Sequence, residues 1–355
     1  MLKRCVWFFL FVIALQHAGA SEIDADATAK FLAGLPVRGT AVENRSVDRP
    51  WSTHASELDR VWNRFDHEQL SKIQASSPQI LGDLYADTAP VFYMFSGPDF
   101  LYPSAIFPNA QTYILCGREP VGAIPDIDRV PPRELPNALA KLRRSLDSVL
   151  SWSFFITQKM KADLSHTQLS GTLPLLYVFL ARTGATIESV ALVSLDNDGN
   201  VVDNGKTPGA KIVFANSSGK QQTIYYFTTD LSDDGIKKAP GFMKFCENEA
   251  PGLTLLKAAS YLMHRTRFPM VRDFLLNCSK VIVQDDSGIP QKFLDDGKWN
   301  IRYYGKYAGP IRSFRRFWQP DLVRDYAATT PAPLDFGFGY EWRPKRSSLI
   351  VATPK

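Results

Sequence analysis

The pattern of hydrophobic and polar positions changes twice in the first third of the chain. Apolar residues recur at helical spacing through much of 21–85, which predicts amphipathic helices. Apolar runs at 91–95 and 112–116 then predict two buried strands. Five prolines between residues 119 and 136 exclude regular structure there, so we interpret this segment as a connection between two lobes.

The remainder of the chain alternates short apolar runs with amphipathic segments. The pattern predicts helices at about 139–150, 252–264, 269–278 and 319–327, and strands at 190–195, 211–215, 223–227, 281–283, 299–304, 336–340 and 349–352. This alternation predicts an α/β or α+β fold with a mixed sheet covered by helices. We place an N-terminal lobe at 21–135 and a C-terminal lobe at 136–355, closely packed together.

The first twenty residues have the three parts of a secretory signal. Lys3 and Arg4 precede eleven apolar residues, and the small residues of 18–20 follow. A membrane-spanning helix needs about 20 apolar residues, so this run is short for a span. We therefore expect 1–20 to be a signal peptide cleaved before Ser21, and the mature protein to be periplasmic or secreted. An uncleaved N-terminal membrane anchor is the alternative.

Composition and charge narrow the class of protein without defining an activity. Apolar residues make up 45% of the chain and charged residues 22%, which are ordinary globular values. The formal net charge is +5, or +3 once Lys3 and Arg4 are removed, and so small a surplus does not indicate nucleic acid as a partner. No later apolar run reaches membrane length, so we expect no stable membrane insertion.

Three cysteines follow the signal, Cys116, Cys246 and Cys278, and an odd number cannot all pair within one chain. In an oxidising compartment one disulfide is allowed, and we favour Cys246 with Cys278 because each lies beside a predicted helix. Three buried thiols are the alternative. The spacing fits neither a redox motif nor a zinc motif, so the sequence predicts no metal site and no cofactor.

Four predicted strands end abruptly in short polar loops. If these strands share a sheet and a direction, their carboxyl ends meet at the edge where α/β sheets bind ligands. The candidate catalytic residues at this edge are Asp99, Asp230, Asp285 and Asp286, and the candidate ligand-binding residues are Ser96, Arg118 and Ser287. Alternatively these residues only form turns, in which Ser, Asp and Gly are common.

Asp285 and Asp286 are the strongest candidates of this set. They directly follow the apolar run 281–283 and a glutamine, which places two like charges at the end of a buried strand. Adjacent carboxylates repel each other, and a turn needs only one of them. The pair therefore indicates a ligand hydroxyl, a cation or a metal that balances the charge.

A basic and aromatic segment at 302–318 forms a second candidate surface. Its candidate ligand-binding residues are Tyr304, Lys306, Tyr307 and Arg312. Aromatic rings stack on sugars, and the cations between them hold acidic groups, so the segment suits an anionic glycan or another acidic ligand. The alternative is a strand whose aromatic face is buried and whose basic face is in water.

Sequence motifs of the common enzyme classes are absent. The chain has no Gly-x-Ser-x-Gly elbow, no His-Glu-x-x-His zinc motif, no phosphate-binding loop and no dinucleotide fingerprint. Ser96 and Ser287 each precede a glycine, but neither has an assignable base. The sequence therefore leaves open whether the protein is an enzyme.

Three segments of the sequence resemble a group of exported bacterial proteins of uncharacterised function. They are FSGPDFLY at 95–102, LARTG at 180–184 and VQDDSGIP at 283–290. The resemblance covers most of the mature chain. It implies a periplasmic or secreted location, and it supplies no activity.

These observations predict an exported, soluble protein with a polar cleft at strand-end loops. The expected function is recognition, with or without hydrolysis, of a polar or anionic small molecule or a glycan of the cell envelope or the exterior. In the hydrolytic version two of the four aspartates act as acid and base or nucleophile. The alternative is a non-catalytic structural or assembly factor of the envelope, for which an exposed apolar patch would be the sign.

Overall fold

The computed structural model describes residues 23–152 and 169–355, and the predicted signal peptide lies outside these ranges. The described residues contain ten α-helices. They are α1 (Ala25–Leu32), α2 (Arg49–Phe65), α3 (Ser71–Leu81), α4 (Leu101–Ile106), α5 (Leu135–Trp152), α6 (Leu173–Arg182), α7 (Asp233–Lys238), α8 (Gly241–Glu249), α9 (Pro269–Cys278) and α10 (Pro320–Ala328).

Ten strands form one sheet in the same part of the chain. They are β1 (Val91–Tyr93), β2 (Thr112–Gly117), β3 (Thr186–Leu195), β4 (Val201–Val202), β5 (Thr207–Ala215), β6 (Gln221–Thr228), β7 (Gly252–Leu256), β8 (Ser279–Gln284), β9 (Trp299–Gly305) and β10 (Ser348–Pro354). Their order across the sheet is β4-β3-β5-β6-β2-β1-β7-β8-β10-β9.

Local sequence sets the beginnings of several helices. The Asp24 side chain accepts a hydrogen bond from the N–H of Ala27 and caps α1, and Ser232 caps α7 in the same way through Gly235. Pro269 begins α9, where its missing N–H costs no helical hydrogen bond.

The centre of the sheet is parallel and both flanks are antiparallel. Strands β6, β2, β1, β7 and β8 run in one direction, while β5 pairs with β6, and β10 with β8, in antiparallel fashion. The predicted mixed sheet covered by helices is therefore confirmed, and the fold is of the α/β class.

Two hydrophobic clusters cover the two faces of this sheet. Val91 and Tyr93 of β1 belong to the first cluster, together with residues of α1, α2, α4, α5 and α6. Phe92, between them in sequence, belongs to the second cluster with residues of α8 and α9. Successive side chains of a strand point to opposite faces, which explains why the whole of β1 is buried.

The connections of the parallel strands reverse direction between β1 and β7. The chain leaves β1 through α4 on the first face and returns as β2 on one side. It leaves β7 through α9 on the second face and returns as β8 on the other side. The loops after β1 and β7 thus diverge and leave a crevice at the carboxyl edge, where open α/β sheets bind ligands.

Two predictions of secondary structure are wrong. Residues 252–264 form strand β7 and then a short 3-10 helix (Ala259–His264), because a short apolar run suits a buried strand as well as a helix. Residues 336–340 form no strand, although Phe336 and Phe338 are buried. The N–H of Gly337 donates to the Gln69 side chain, and the N–H of Phe338 donates to Ser347 Oγ. These two groups therefore do not pair with a neighbouring strand.

The single sheet takes strands from both predicted lobes. β1 and β2, from the region 21–135, pair with β7 and β6, from the region 136–355. The division into two lobes at this boundary stays a prediction. Within 23–152 and 169–355 no helix combines the length and the apolar character that a membrane crossing requires.

Candidate functional site

A cavity of about 340 Å³ lies in the crevice at the carboxyl ends of β1, β2, β6 and β7. This volume is within the range of small-molecule sites. The apolar residues that line it include Phe95, Leu231, Leu262, Phe268 and Tyr340. The polar residues that line it include Ser96, Asp99, Arg118, Glu119, Asp230 and Lys257. The structure therefore gathers four of the sequence-predicted site residues, Ser96, Asp99, Arg118 and Asp230, around one space.

Asp99 and Lys257 form a buried ion pair in the cavity wall. Lys257 Nζ lies 2.8 Å from Asp99 Oδ2, and the two side chains are only 1% and 3% exposed. The Tyr93 hydroxyl donates to the same oxygen at 3.0 Å, and the ammonium group lies 3.4 Å from the centre of the Tyr102 ring. Burial lowers the pKa of Lys257, while the charge of Asp99 opposes the decrease.

The second carboxylate oxygen of Asp99 has no hydrogen-bond partner among the described residues. Oδ1 is buried, whereas Oδ2 accepts hydrogen bonds from Lys257 and Tyr93. A buried acceptor without a donor costs about 1–3 kcal/mol. Asp99 is also one of the residues that line the cavity.

Two residues of the cavity wall have an unusual backbone conformation. Phe95 follows β1 and Ala258 follows β7, and both have a φ of 61°; they are the non-glycine residues with positive φ in the described ranges. A side chain in this region strains the backbone by about 1–3 kcal/mol, and such strain clusters at functional sites. The strain lies on the two loops that bound the crevice.

The loop after β2 supplies Arg118 and Glu119. Arg118 Nη1 lies 2.8 Å from Asp230 Oδ2, and both side chains are substantially exposed. Burial opposes ionisation of Asp230, but hydrogen bonds from Ser232 and the Arg118 charge lower its pKa. Glu119 is buried, and its carboxylate approaches Gly117 so closely that a Cβ there would lie 2.2 Å from Oε2.

Ser96 joins the loop after β1 to β2. Its hydroxyl accepts a hydrogen bond from the N–H of Cys116 at 3.1 Å, and the carbonyls of Cys116 and Gly97 lie within donating distance. The hydroxyl is therefore engaged with backbone groups at the edge of the cavity. This arrangement fixes the shape of the loop.

Asp285, Asp286 and Ser287 lie behind the cavity wall rather than on it. Asp285 Oδ2 accepts a hydrogen bond from the N–H of Ala258 at 3.0 Å, and Oδ1 accepts one from the N–H of Ser287 at 3.0 Å. Asp286 Oδ2 accepts one from the Tyr261 hydroxyl at 2.6 Å. Burial raises the pKa of both carboxyls, and burial with the charge of Asp285 brings that of Asp286 to about 8.

The basic and aromatic segment also lies outside the cavity lining. The Tyr307 hydroxyl accepts a hydrogen bond from the N–H of Gln319 at 3.2 Å, Tyr304 is half-buried on β9, and Lys306 and Arg312 are exposed. A stack of rings connects the neighbouring part of this segment to the cavity. Tyr261 lies between Phe317 and Tyr340 at centroid distances of 5.4 and 5.9 Å, and Tyr340 forms part of the cavity wall.

Sequence reasoning missed Lys257, Tyr93 and Tyr340. Lys257 falls within the segment 252–264, where a predicted helix would place a lysine on its solvent face. Tyr340 falls within the predicted strand 336–340. The sequence does carry an indication of Lys257, since a single lysine directly follows the mostly apolar segment Gly252–Leu256 at the end of a strand.

The described cysteines form no disulfide, and the described residues form no metal site. Cys116, Cys246 and Cys278 are all free, so the favoured Cys246–Cys278 disulfide is not formed. Cys116 lines the cavity, but burial raises the pKa of its thiol to about 12, which suppresses its reactivity. Among the described residues no group of three His, Cys, Asp or Glu side chains could hold a metal ion.

Comparisons of the chain with models of known protein families, with curated proteins and with solved structures found no match.

Proposed function

We propose that the protein binds a small, hydroxyl-bearing molecule, such as a sugar unit of a glycan, in the cavity between the loops after β1 and β7. The observation that carries the proposal is the unpartnered oxygen of Asp99 in the cavity wall. A ligand hydroxyl would donate to this oxygen and remove the cost of a buried acceptor.

The cavity lining offers both kinds of contact that a sugar ring makes. Phe268 and Tyr340 offer ring surfaces for the apolar C–H side. Asp99, Arg118 and Asp230 offer acceptors and donors for the hydroxyl groups. We place this binding in the periplasm or outside the cell, in line with the signal expected at 1–20.

Binding without hydrolysis is the version that Asp99 and Asp230 favour. Glycoside hydrolysis needs one carboxyl that is protonated at the start of the reaction and a second that is ionised. The lowered pKa of Asp230 keeps this carboxyl ionised, and Asp99 accepts hydrogen bonds from Lys257 and Tyr93. Asp285 and Asp286, the strongest of the four predicted catalytic candidates, do not line the cavity.

The alternative function, a structural or assembly factor of the envelope, would be favoured by a continuous exposed apolar patch. The large exposed apolar side chains of the described residues lie on separate elements, such as Leu192 on β3, Met270 on α9 and Val323 on α10. The cavity therefore supports ligand binding more strongly than assembly.

Calorimetry and thermal melts with a panel of mono- and oligosaccharides test the proposal. We expect at least one saccharide to bind and to raise the melting temperature. Asp99→Asn should weaken this binding about tenfold or more, because the ligand loses a charged acceptor.

Asp87→Asn is the matched control. Asp87 also forms an ion pair, with Lys280, but it lies at the amino end of the sheet, before β1. This variant should bind as the wild type does. Absence of binding across the panel, or equal binding by Asp99→Asn and the wild type, would overturn the proposal.

A further inference from the structure

We propose that Lys257 is a nucleophilic amine that forms an imine with the carbonyl group of a small hydroxylated aldehyde or ketone bound in the cavity. This inference rests on the proposed binding of a small polar ligand there, and it adds a covalent step. The open-chain form of a reducing sugar belongs to this chemical class.

The position of Lys257 is unusual for a lysine. It is the buried lysine of the described residues, and it directly follows β7 at the carboxyl edge of the sheet. Burying an ion pair is costly, and replacing both of its members with apolar residues of similar volume often leaves stability unchanged or increases it. Lysines that form imines, in contrast, are desolvated in apolar pockets, where the neutral amine is favoured.

The surroundings of the amine supply the other groups that the reaction needs. Asp99 lies 2.8 Å from Nζ and can take its proton, and the Tyr93 hydroxyl holds the carboxylate through the same oxygen. Lys257 and Asp99 both line the cavity, and their low exposure keeps the pair away from bulk water.

The step balances with these groups alone. The ammonium of Lys257 gives a proton to Asp99, and the neutral amine attacks the carbonyl carbon to form a C–N bond. The carbonyl oxygen takes the proton from Asp99, which then removes a second proton from the nitrogen. Asp99 returns this proton to the hydroxyl, which leaves as water, and a protonated imine remains.

Arg118 and Asp230 extend the recognition beyond the reacting carbon. Their ion pair lines the cavity with the two charged side chains 69% and 40% exposed, in contrast to the enclosed pair of Asp99 and Lys257. A hydroxylated tail of the ligand would exchange hydrogen bonds with both groups. We therefore expect the carbonyl carbon at the enclosed pair and the hydroxyl groups toward the exposed pair.

Reductive trapping of the full chain tests the inference. The protein is incubated at neutral pH with D-glyceraldehyde and cyanoborohydride, which reduces an imine to a stable secondary amine, and the modified lysines are located by peptide mass mapping. We expect Lys257 to be modified about tenfold faster than the exposed Lys306, since a lowered pKa increases the neutral fraction of the amine. The rate at Lys257 should also saturate with glyceraldehyde.

Three variants test the covalent step. Lys257→Arg keeps a cation beside Asp99 but cannot form an imine, so it should lose the modification. Asp99→Asn keeps the amine and should slow its modification. Asp87→Asn should react as the wild type does, and circular dichroism confirms that each variant is folded.

Modification of Lys306 without modification of Lys257 in the folded wild type would overturn the inference. Saccharide binding that persists in that experiment would leave the proposed function intact. A linear, non-saturating rate at Lys257, unaffected by Asp99→Asn, would equally overturn it, because it would indicate the background reaction of any accessible amine.

Discussion

The backbone N–H of Ala258 donates a hydrogen bond to the buried carboxylate of Asp285 at 3.0 Å. Ala258 lines the cavity and Asp285 does not, so the aspartate contributes to the site by holding part of its wall. The turn that it holds is strained, with a φ of 61° at Ala258. Asp285 is therefore a positioning residue for the loop that carries Lys257.

Asp285→Asn should lower the free energy of unfolding by about 1–3 kcal/mol. Each carboxylate oxygen accepts a hydrogen bond from a backbone N–H, so an amide leaves one donor without an acceptor. Asp286→Asn is the matched control, because asparagine still accepts from the Tyr261 hydroxyl and no charge is buried. The control should be as stable as the wild type or more so. Urea denaturation at neutral pH measures both variants, and equal losses would contradict this assignment of roles.

The stability contributed by Asp286 should decrease as the pH rises. Its pKa is about 8 in the folded protein, against 3.8 for an ordinary aspartate. Between these values the folded state binds a proton that the unfolded state has lost, so the contribution is complete below pH 3.8 and lost as the pH rises through about 8. Melting temperatures across this range should fall in the wild type relative to Asp286→Asn. A difference in melting temperature between the two proteins that stays constant across this pH range would refute the raised pKa of Asp286.

His54 should titrate far below the usual range of histidine. Arg143 donates to Nδ1 at 3.1 Å, so Nε2 carries the ring proton and donates to the Leu32 carbonyl at 2.7 Å. Burial lowers the pKa of His54 from 6.5 to about 4, and the charge of Arg143 acts in the same direction. The contribution of the neutral His54 ring to protein stability is complete above pH 6.5 and is lost as the pH falls through about 4. Proton NMR of the ring provides the test, and a midpoint near 6.5 would contradict this environment.

Lys257→Met should destabilise the protein by about 3–5 kcal/mol, because it leaves the buried Asp99 without its cation. The double variant with Asp99→Asn removes the charge and keeps an acceptor for the Tyr93 hydroxyl. It should therefore be more stable than Lys257→Met alone. Thermal and urea denaturation of the wild type, the two single variants and the double variant form a double-mutant cycle, which measures the interaction between the two side chains. Additive losses would show that the two side chains do not interact in solution.

The strand-end loops are the part of the site that the sequence could predict. Polar loops after apolar runs at 91–95, 112–116 and 223–227 placed Asp99, Arg118 and Asp230 at one edge, because parallel strands bring their carboxyl ends together. The α/β class followed from the same alternation of strands and helices.

Whether a side chain near a strand end lines the cavity could not be predicted from its position in the sequence. Asp285 and Asp286 follow β8, yet their hydrogen bonds direct them to the turn at Ala258 and to Tyr261, behind the cavity. Lys257 was missed because the short, mostly apolar segment before it is compatible with a helix and with a strand. Only the pairing of β7 with β1 and β8 decides between them.

The central strand β1 has consequences for how the chain reaches its native state. One edge of β1 pairs with β2, about twenty residues later, but the other pairs with β7, where Val91 lies opposite Leu253. A chain that ends before residue 252 therefore leaves the middle of the sheet as an open, apolar edge, which is a template for aggregation. Contacts of such long sequence separation also slow folding. Shortened versions of this protein should thus retain β7, even when only the N-terminal half is of interest.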